Sequence, residues 1–253
     1  MSKSALYPRL FSTDQYQITL PDGHKFPAKK YGMLRKLVEQ EGLFQLEAAP
    51  LADMKTVALA HDPEYVAQFA AGTLEPAPMR RIGLPWSDVL VKRAFASVGG
   101  TISAALQAME IGWGCTLGGG THHALRNQGA GFCIFNDIAV AIQFLRNQGL
   151  IRRAAVIDLD VHQGDGTAEI FENDSDVFTL SIHCESNFPF RKNRAVWISP
   201  CLTTLKTWSI CAGWMRSCLP YSCFILTSFF ISRASIRLPR MFWAGFRLLL
   251  RDL

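Results

Sequence analysis

The sequence predicts an α/β fold, a parallel sheet flanked by helices, on three observations. Residues 154–159 (AAVIDL) form a short apolar run with the length of a buried strand. A turn or two of helix over 167–171 and a second β-rich run over 177–183 follow it; strand, helix and strand in that order imply a right-handed crossover between parallel neighbours. Finally, Asp158, Asp160, His162 and Asp165 crowd the end of the first run, where open parallel sheets hold their ligands.

The remaining elements follow in chain order. Residues 25–73 read as mixed loop and helix, with Met33, Leu34, Leu37 and Val38 at helical spacing in a pattern that stops near Gly42. Residues 87–109 (SDVLVKRAFASVGGTISAALQAM) read as a helix with Val91, Phe95, Val98 and Ile102 near one face. Its Gly99-Gly100 pair costs about 1 kcal/mol per glycine against alanine, so close packing against a neighbour is expected there. Asn136 or Asp137 caps a helix through Ile138, Ala141, Ile142 and Leu145 that stops at Gly149. The string LRNQG occurs at 125–129 and again at 145–149, too short to mark a structural repeat.

Composition sets the outer limits. At 253 residues and 49% hydrophobic content the chain has the material for one large domain or two small ones. The formal charge of +5 is uneven: residues 1–192 hold 18 Lys and Arg against 20 Asp and Glu (−2), and residues 193–253 hold 8 against 1 (+7). Nucleic-acid binding is therefore not expected of the first segment. The seven cysteines show no C-x-x-C spacing, and Cys201, Cys211, Cys218 and Cys223 fall in the second segment, so neither a disulfide framework nor a zinc ribbon is indicated. The N-terminal stretch has no apolar core of a secretion signal, which points to the cytoplasm, or the nucleus in a eukaryote. Residues 219–232 (LPYSCFILTSFFIS) are the most apolar window, and these 14 residues fall short of the roughly 18–20 that span a bilayer. A basic, apolar segment of this kind could still favour anionic membrane surfaces.

The chemistry concentrates in two clusters. In an extended segment Asp158, Asp160 and His162 project to one side. Carboxylates gathered in an apolar setting repel one another unless a cation neutralises them, so a metal is the economical reading; a solvated loop with a helix cap at Asp165 would use the same residues. The second cluster is GGGTHHA at 118–124, where three glycines permit a sharp turn and His122 and His123 stand side by side. Each imidazole needs a partner to fix its tautomer, and Asp158 and Asp165 are the available carboxylates. His24 and His61 lack clustered partners and read as loop or core residues. His183 reads as a loop-orienting group, and Cys133 and Cys184 as buried thiols with no neighbour to lower their pKa.

GGGTHHA, then GAGFCIFND at 129–137 and DLDVHQGDGTAE at 158–169, with HKFPAKKY at 24–31 and AHDPEYV at 60–66, together resemble the zinc-dependent histone deacetylase family in its bacterial and class IV-like branch. The resemblance covers roughly residues 20–192. It implies an arginase/deacetylase-like fold and hydrolysis of acetyl-lysine or a related acyl amide such as an acetylpolyamine. The partner is then an acetylated protein or a small acylated amine. Carried onto this sequence, it makes Asp160 and His162 zinc ligands. It makes His123, paired with Asp165, the general base, and His122, paired with Asp158, an electrostatic or proton-shuttling group. Gly131 and Phe132 line the acyl-lysine channel. Asp158, Asp160, His162, Ser181 and Ile182 correspond to a structural potassium site, held largely through backbone carbonyls.

The chain departs from that pattern after Lys192. The resemblance calls for a third zinc ligand, an aspartate, and for a tyrosine that hydrogen-bonds the oxyanion; residues 193–253 contain no histidine, one acid (Asp252) and one tyrosine (Tyr221). That segment also carries four of the six tryptophans and four of the seven cysteines. It reads as a hydrophobic, basic tail from another frame or exon, following an N-terminal portion of a deacetylase domain at 1–192. The expectation is a fold whose C-terminal part is missing or replaced, an exposed sheet edge and an impaired hydrolase. A non-catalytic interaction protein with a degenerate pocket is the alternative. A binuclear manganese hydrolase of the same fold would want more carboxylates than DLDVHQGD supplies.

Overall fold

The computed structural model describes residues 8–193 and the backbone of 197–200, 224–227 and 241–244. Strands β1 (Arg9–Ser12), β2 (Gln45–Ala48), β3 (Trp113–Thr116), β4 (Ala154–Asp158), β5 (Val177–His183), β6 (Trp197–Pro200), β7 (Phe224–Thr227) and β8 (Met241–Ala244) make one sheet in the order β2-β1-β3-β8-β7-β4-β5-β6. Every pairing is parallel. The fold class read from the sequence holds, and 177–183 is a strand over the residues assigned to it. β1 and β2 have four residues each, too short to stand out by periodicity. Asn193 and β6 to β8 are the described parts of 193–253; the rest of the tail, including most of 219–232, lies outside the described residues. Where a missing C-terminal part would leave β3 and β4 with exposed edges, the backbone of β7 and β8 fills the positions between them.

Helix starts follow their caps. Asp53 accepts the Thr56 N–H ahead of α2 (Met54–Val57), and Asp62, followed by Pro63, opens α3 (Pro63–Ala71). Ser87 accepts the Leu90 N–H ahead of α5 (Asp88–Ile111), and Asn136 accepts the Ala139 N–H ahead of α6 (Asp137–Asn147). α1 (Lys30–Glu41) and α4 (Pro76–Ile82) end on Gly42 and Gly83 in the left-handed region. α7 (Asp165–Ile170) starts from Gly164, so Asp165 sits inside its first turn and is not its cap.

α5 is the central support of the site. By length and composition it could cross a bilayer, but it packs inside the protein, with Leu90, Phe95, Val98 and Ile102 in one apolar core with Ile138, Ile142 and Leu145 of α6. The close packing expected at its two glycines is present. A Cβ on Gly99 would stand 2.0 Å from Pro50 O, and one on Gly100 would stand 3.0 Å from Ala49 Cβ and from Thr116 Oγ1. α5 therefore lies directly on the chain leaving β2 and on β3, whose next residues carry the histidine pair.

Candidate active site

The chain leaving β3 turns through Gly118, Gly119 and Gly120 because larger residues have no room. A Cβ on Gly118 would lie 2.4 Å from Thr13 Oγ1 and one on Gly119 would lie 2.5 Å from Asp137 Oδ2, and Gly120 has φ +76°. The turn delivers His122 and His123, both buried, with ring centroids 4.1 Å apart. β4 ends at Asp158 and α7 begins at Asp165, and each supplies one carboxylate. His122 Nδ1 lies 2.5 Å from Asp158 Oδ2, and His123 Nδ1 lies 2.7 Å from Asp165 Oδ1. Both pairings match the sequence reading.

The surroundings set the two imidazoles to different charge states. Burial opposes a charge on His122, but the Asp158 carboxylate, with Asp160 and Asp165 behind it, outweighs burial and raises its pKa to about 9. Burial and the charge on His122 push His123 down, against the pull of Asp165. At neutral pH the pair is one imidazolium beside one neutral imidazole, an acid and a base in contact.

Asp160 and His162 complete the cluster, by a different route from the extended strand assumed for them. β4 stops at Asp158, and the chain then bends, stapled by the Asp160 N–H to Asp158 Oδ1 (3.0 Å) and the His162 N–H to Asp160 Oδ1 (2.9 Å). Asp158 is thus engaged with His122, while His162 Nδ1 and Asp160 Oδ1 face each other at 2.8 Å. Burial would raise the Asp160 pKa, but the His162 hydrogen bond and the His122 charge prevail and hold it below the usual carboxylate range. A carboxylate oxygen and an imidazole nitrogen are suitable zinc donors, but a catalytic zinc takes three protein ligands. Among the described residues no third His, Cys, Asp or Glu joins these two.

His122, His123, Asp160 and His162 open into one cavity of about 600 Å³, also lined by Gly131 and Phe132. Gly131 (φ +54°) and Phe132 (φ +67°) both occupy the left-handed region, pinned by N–H bonds to Arg81 O and Ile82 O. A Cβ on Gly131 would come 2.8 Å from His123 Cδ2, so glycine lets the wall approach the imidazole. Phe132 is the one described non-glycine residue with positive φ, a strain of the kind stored at functional sites. Phe188, absent from the sequence-based site, stands edge-on to His123 at 4.9 Å. Its place in 188–192 (FPFRK), directly before the change in composition, was the available signal.

The other assignments divide. Ser181 is the register partner of Asp158, and its Oγ lies 3.0 Å from His183 Nδ1; Ile182 is buried. His24 ties its loop to Gly83 O, and buried His61 bridges Arg126 O and the Asn136 N–H, so both are structural as read. Cys133 is buried, with its pKa raised. Cys184 is not a buried thiol: it is partly exposed, and hydrogen bonds from the Ser186 side chain and backbone lower its pKa.

The geometry has counterparts in known proteins. A family model described as "Histone deacetylase domain" matches residues 24–198. An uncharacterised protein of Picosynechococcus sp. is 46% identical over 192 residues, covering 75% of this chain and 64% of its own length. Histone deacetylase 2 of Arabidopsis thaliana is 32% identical over 180 residues, covering 66% of this chain and 46% of its own. The chain thus spans about half to two thirds of these relatives. A crystal structure of an HDAC homologue complexed with SAHA superposes with TM-score 0.72 over 87% of this chain and 68% of that one, at 22% identity, which supports the fold.

Proposed function

The chain belongs to the histone deacetylase family, and on that premise we propose that it is a zinc-dependent amide hydrolase acting on acetyl-lysine or a related acylated amine. The observation that carries the reading is the convergence of two His–Asp pairs and the Asp160–His162 donors on one cavity. With Nδ1 held by Asp165, neutral His123 has Nε2 left to take the proton of an attacking water. His122, held protonated by Asp158, sets positive charge beside the centre where an oxyanion develops. Gly131, Phe132 and Phe188 confine an extended side chain next to His123. Zinc on Asp160 and His162 would polarise the amide carbonyl and acidify the water.

The described residues supply two zinc donors where a catalytic site uses three, so weak metal affinity and slow turnover are the outcome proposed for this chain. Zinc titration against a competing chelator and hydrolysis of an acetyl-lysine peptide by the purified chain test both parts. The expected result is weak zinc binding with slow turnover that His123→Ala abolishes. Tight stoichiometric zinc with fast hydrolysis overturns the impairment. Hydrolysis that survives His123→Ala overturns the assignment of the base. Peptide binding with no hydrolysis at saturating zinc selects the interaction-protein reading.

A further inference from the structure

We propose that Asn136 and Asp137 are positioning residues for the histidine pair, clamping the chain immediately before and after it; this rests on the reading of that pair as the acid–base centre. Both residues read from the sequence only as helix caps, and Asn136 does cap α6. Their side chains are fully buried and do more than a cap requires.

Asp137 grips the approach to the pair. Its Oδ2 accepts the Gly120 N–H at 3.0 Å, and its Oδ1 accepts the Thr121 N–H at 2.7 Å. Thr121 Oγ1 lies 2.6 Å from the same Oδ1, and the Thr101 hydroxyl of α5 donates to Oδ2. A carboxylate buried to this degree needs its charge answered. The partners described here are neutral donors, supplemented by the positive end of α6. The approach is so close that Gly119 has no room for a Cβ. Asn136 holds the exit: its Nδ2 donates to Ala124 O at 3.2 Å and to Thr167 Oγ1 at 2.9 Å. Thr167 in turn donates its N–H to His122 O at 3.1 Å. His122 and His123 are thereby fixed between two adjacent residues at the start of one helix, and the Asp158 and Asp165 bonds require that placement. Outer partners of this kind orient the groups that do the chemistry.

Asp137→Asn is the direct test. It keeps the shape, but the new amide sets a donor against an N–H or hydroxyl that also donates. Thr101→Val removes one donor without touching the loop and serves if Asp137→Asn does not fold. The readout is the low-field proton NMR signals of the His122 and His123 Nδ1–H groups, taken alongside urea unfolding. In wild type both signals are expected. In Asp137→Asn both move upfield or disappear in a protein that still unfolds cooperatively, and Thr101→Val shows a smaller movement. Both signals unchanged in variants that have lost stability make the clamp purely structural and overturn the inference. Their absence from wild type overturns the His–Asp pairs, and with them the proposed acid–base centre.

Discussion

Replacing Asp158 with asparagine removes the charge that keeps His122 protonated while leaving its volume almost unchanged. Asp158 and its more distant acidic neighbours raise the His122 pKa from 6.5 to about 9 against the opposing effect of burial. At 1.36 kcal/mol per unit, that preference for the charged ring amounts to about 3 kcal/mol. The sign follows from linkage. A histidine whose pKa is raised by folding contributes its stability fully below 6.5 and loses it as pH climbs from 6.5 through 9. Wild type is therefore expected to lose about 3 kcal/mol more than Asp158→Asn between pH 6 and pH 9.5, measured by urea unfolding at both pH values. An NMR titration of the His122 ring carbon should show the variant neutral at pH 7. Equal pH dependence in the two proteins, or an unchanged His122 titration in the variant, would refute the account of the charged imidazole.

Acid should expose the opposite linkage at His61, which burial lowers from 6.5 to about 4 while its Nε2 accepts the Asn136 N–H. Its contribution, about 3 kcal/mol, is present above pH 6.5 and is lost as pH falls toward 4. A His61→Gln variant should start less stable and lose less over that window in urea unfolding. Gly99→Ala should destabilise by about 1–3 kcal/mol or more, because its Cβ meets a backbone carbonyl at 2.0 Å. Gly32→Ala on α1, with nothing within 4 Å, should gain up to about 1 kcal/mol in the same assay. Among the described cysteines, maleimide labelling mapped by mass spectrometry should find Cys184 first. Cys115, raised to about 12 by burial, and buried Cys133 should label only on unfolding.

Much of the candidate site was legible in the chain because its groups lie in short contiguous motifs. GGGTHHA delivers its histidines through one turn, and DLDVHQGDGT runs in ten consecutive residues from the end of β4 through a bend into α7. The motifs offered Asp158 and Asp165 as candidate partners, and the resemblance to the deacetylase family assigned Asp158 to His122 and Asp165 to His123. What could not be read were contacts made across the fold. Phe188 meets His123 only because the chain after β5 folds back over the site. Asp137 reads as a cap in α6, yet its carboxylate is used by a loop that follows β3. β1 and β2 are too short for periodicity to reveal them, and they are strands because β1 pairs with the edge of β3 and β2 with the edge of β1.

The string LRNQG marks the boundary between the two kinds of information. At 145–149 it finishes α6, with three helical residues and a left-handed Gly149, as its propensities suggest. At 125–129 the same five residues form a tight loop closed by an antiparallel bridge from Leu125 to Gln128. There the Arg126 carbonyl accepts the Asp62 N–H and pairs with His61 Nδ1. By itself, the sequence determined the α/β class, the principal helices with their caps, and the grouping of the histidines and aspartates into two short motifs, all set by local pattern. The tertiary structure decided which conformation LRNQG takes, where Asp160 and His162 turn once the strand ends, and which buried groups hold the histidines. Each of those choices is made by hydrogen bonds and packing between segments distant in the chain, whose combined energy exceeds the modest preference of any five residues.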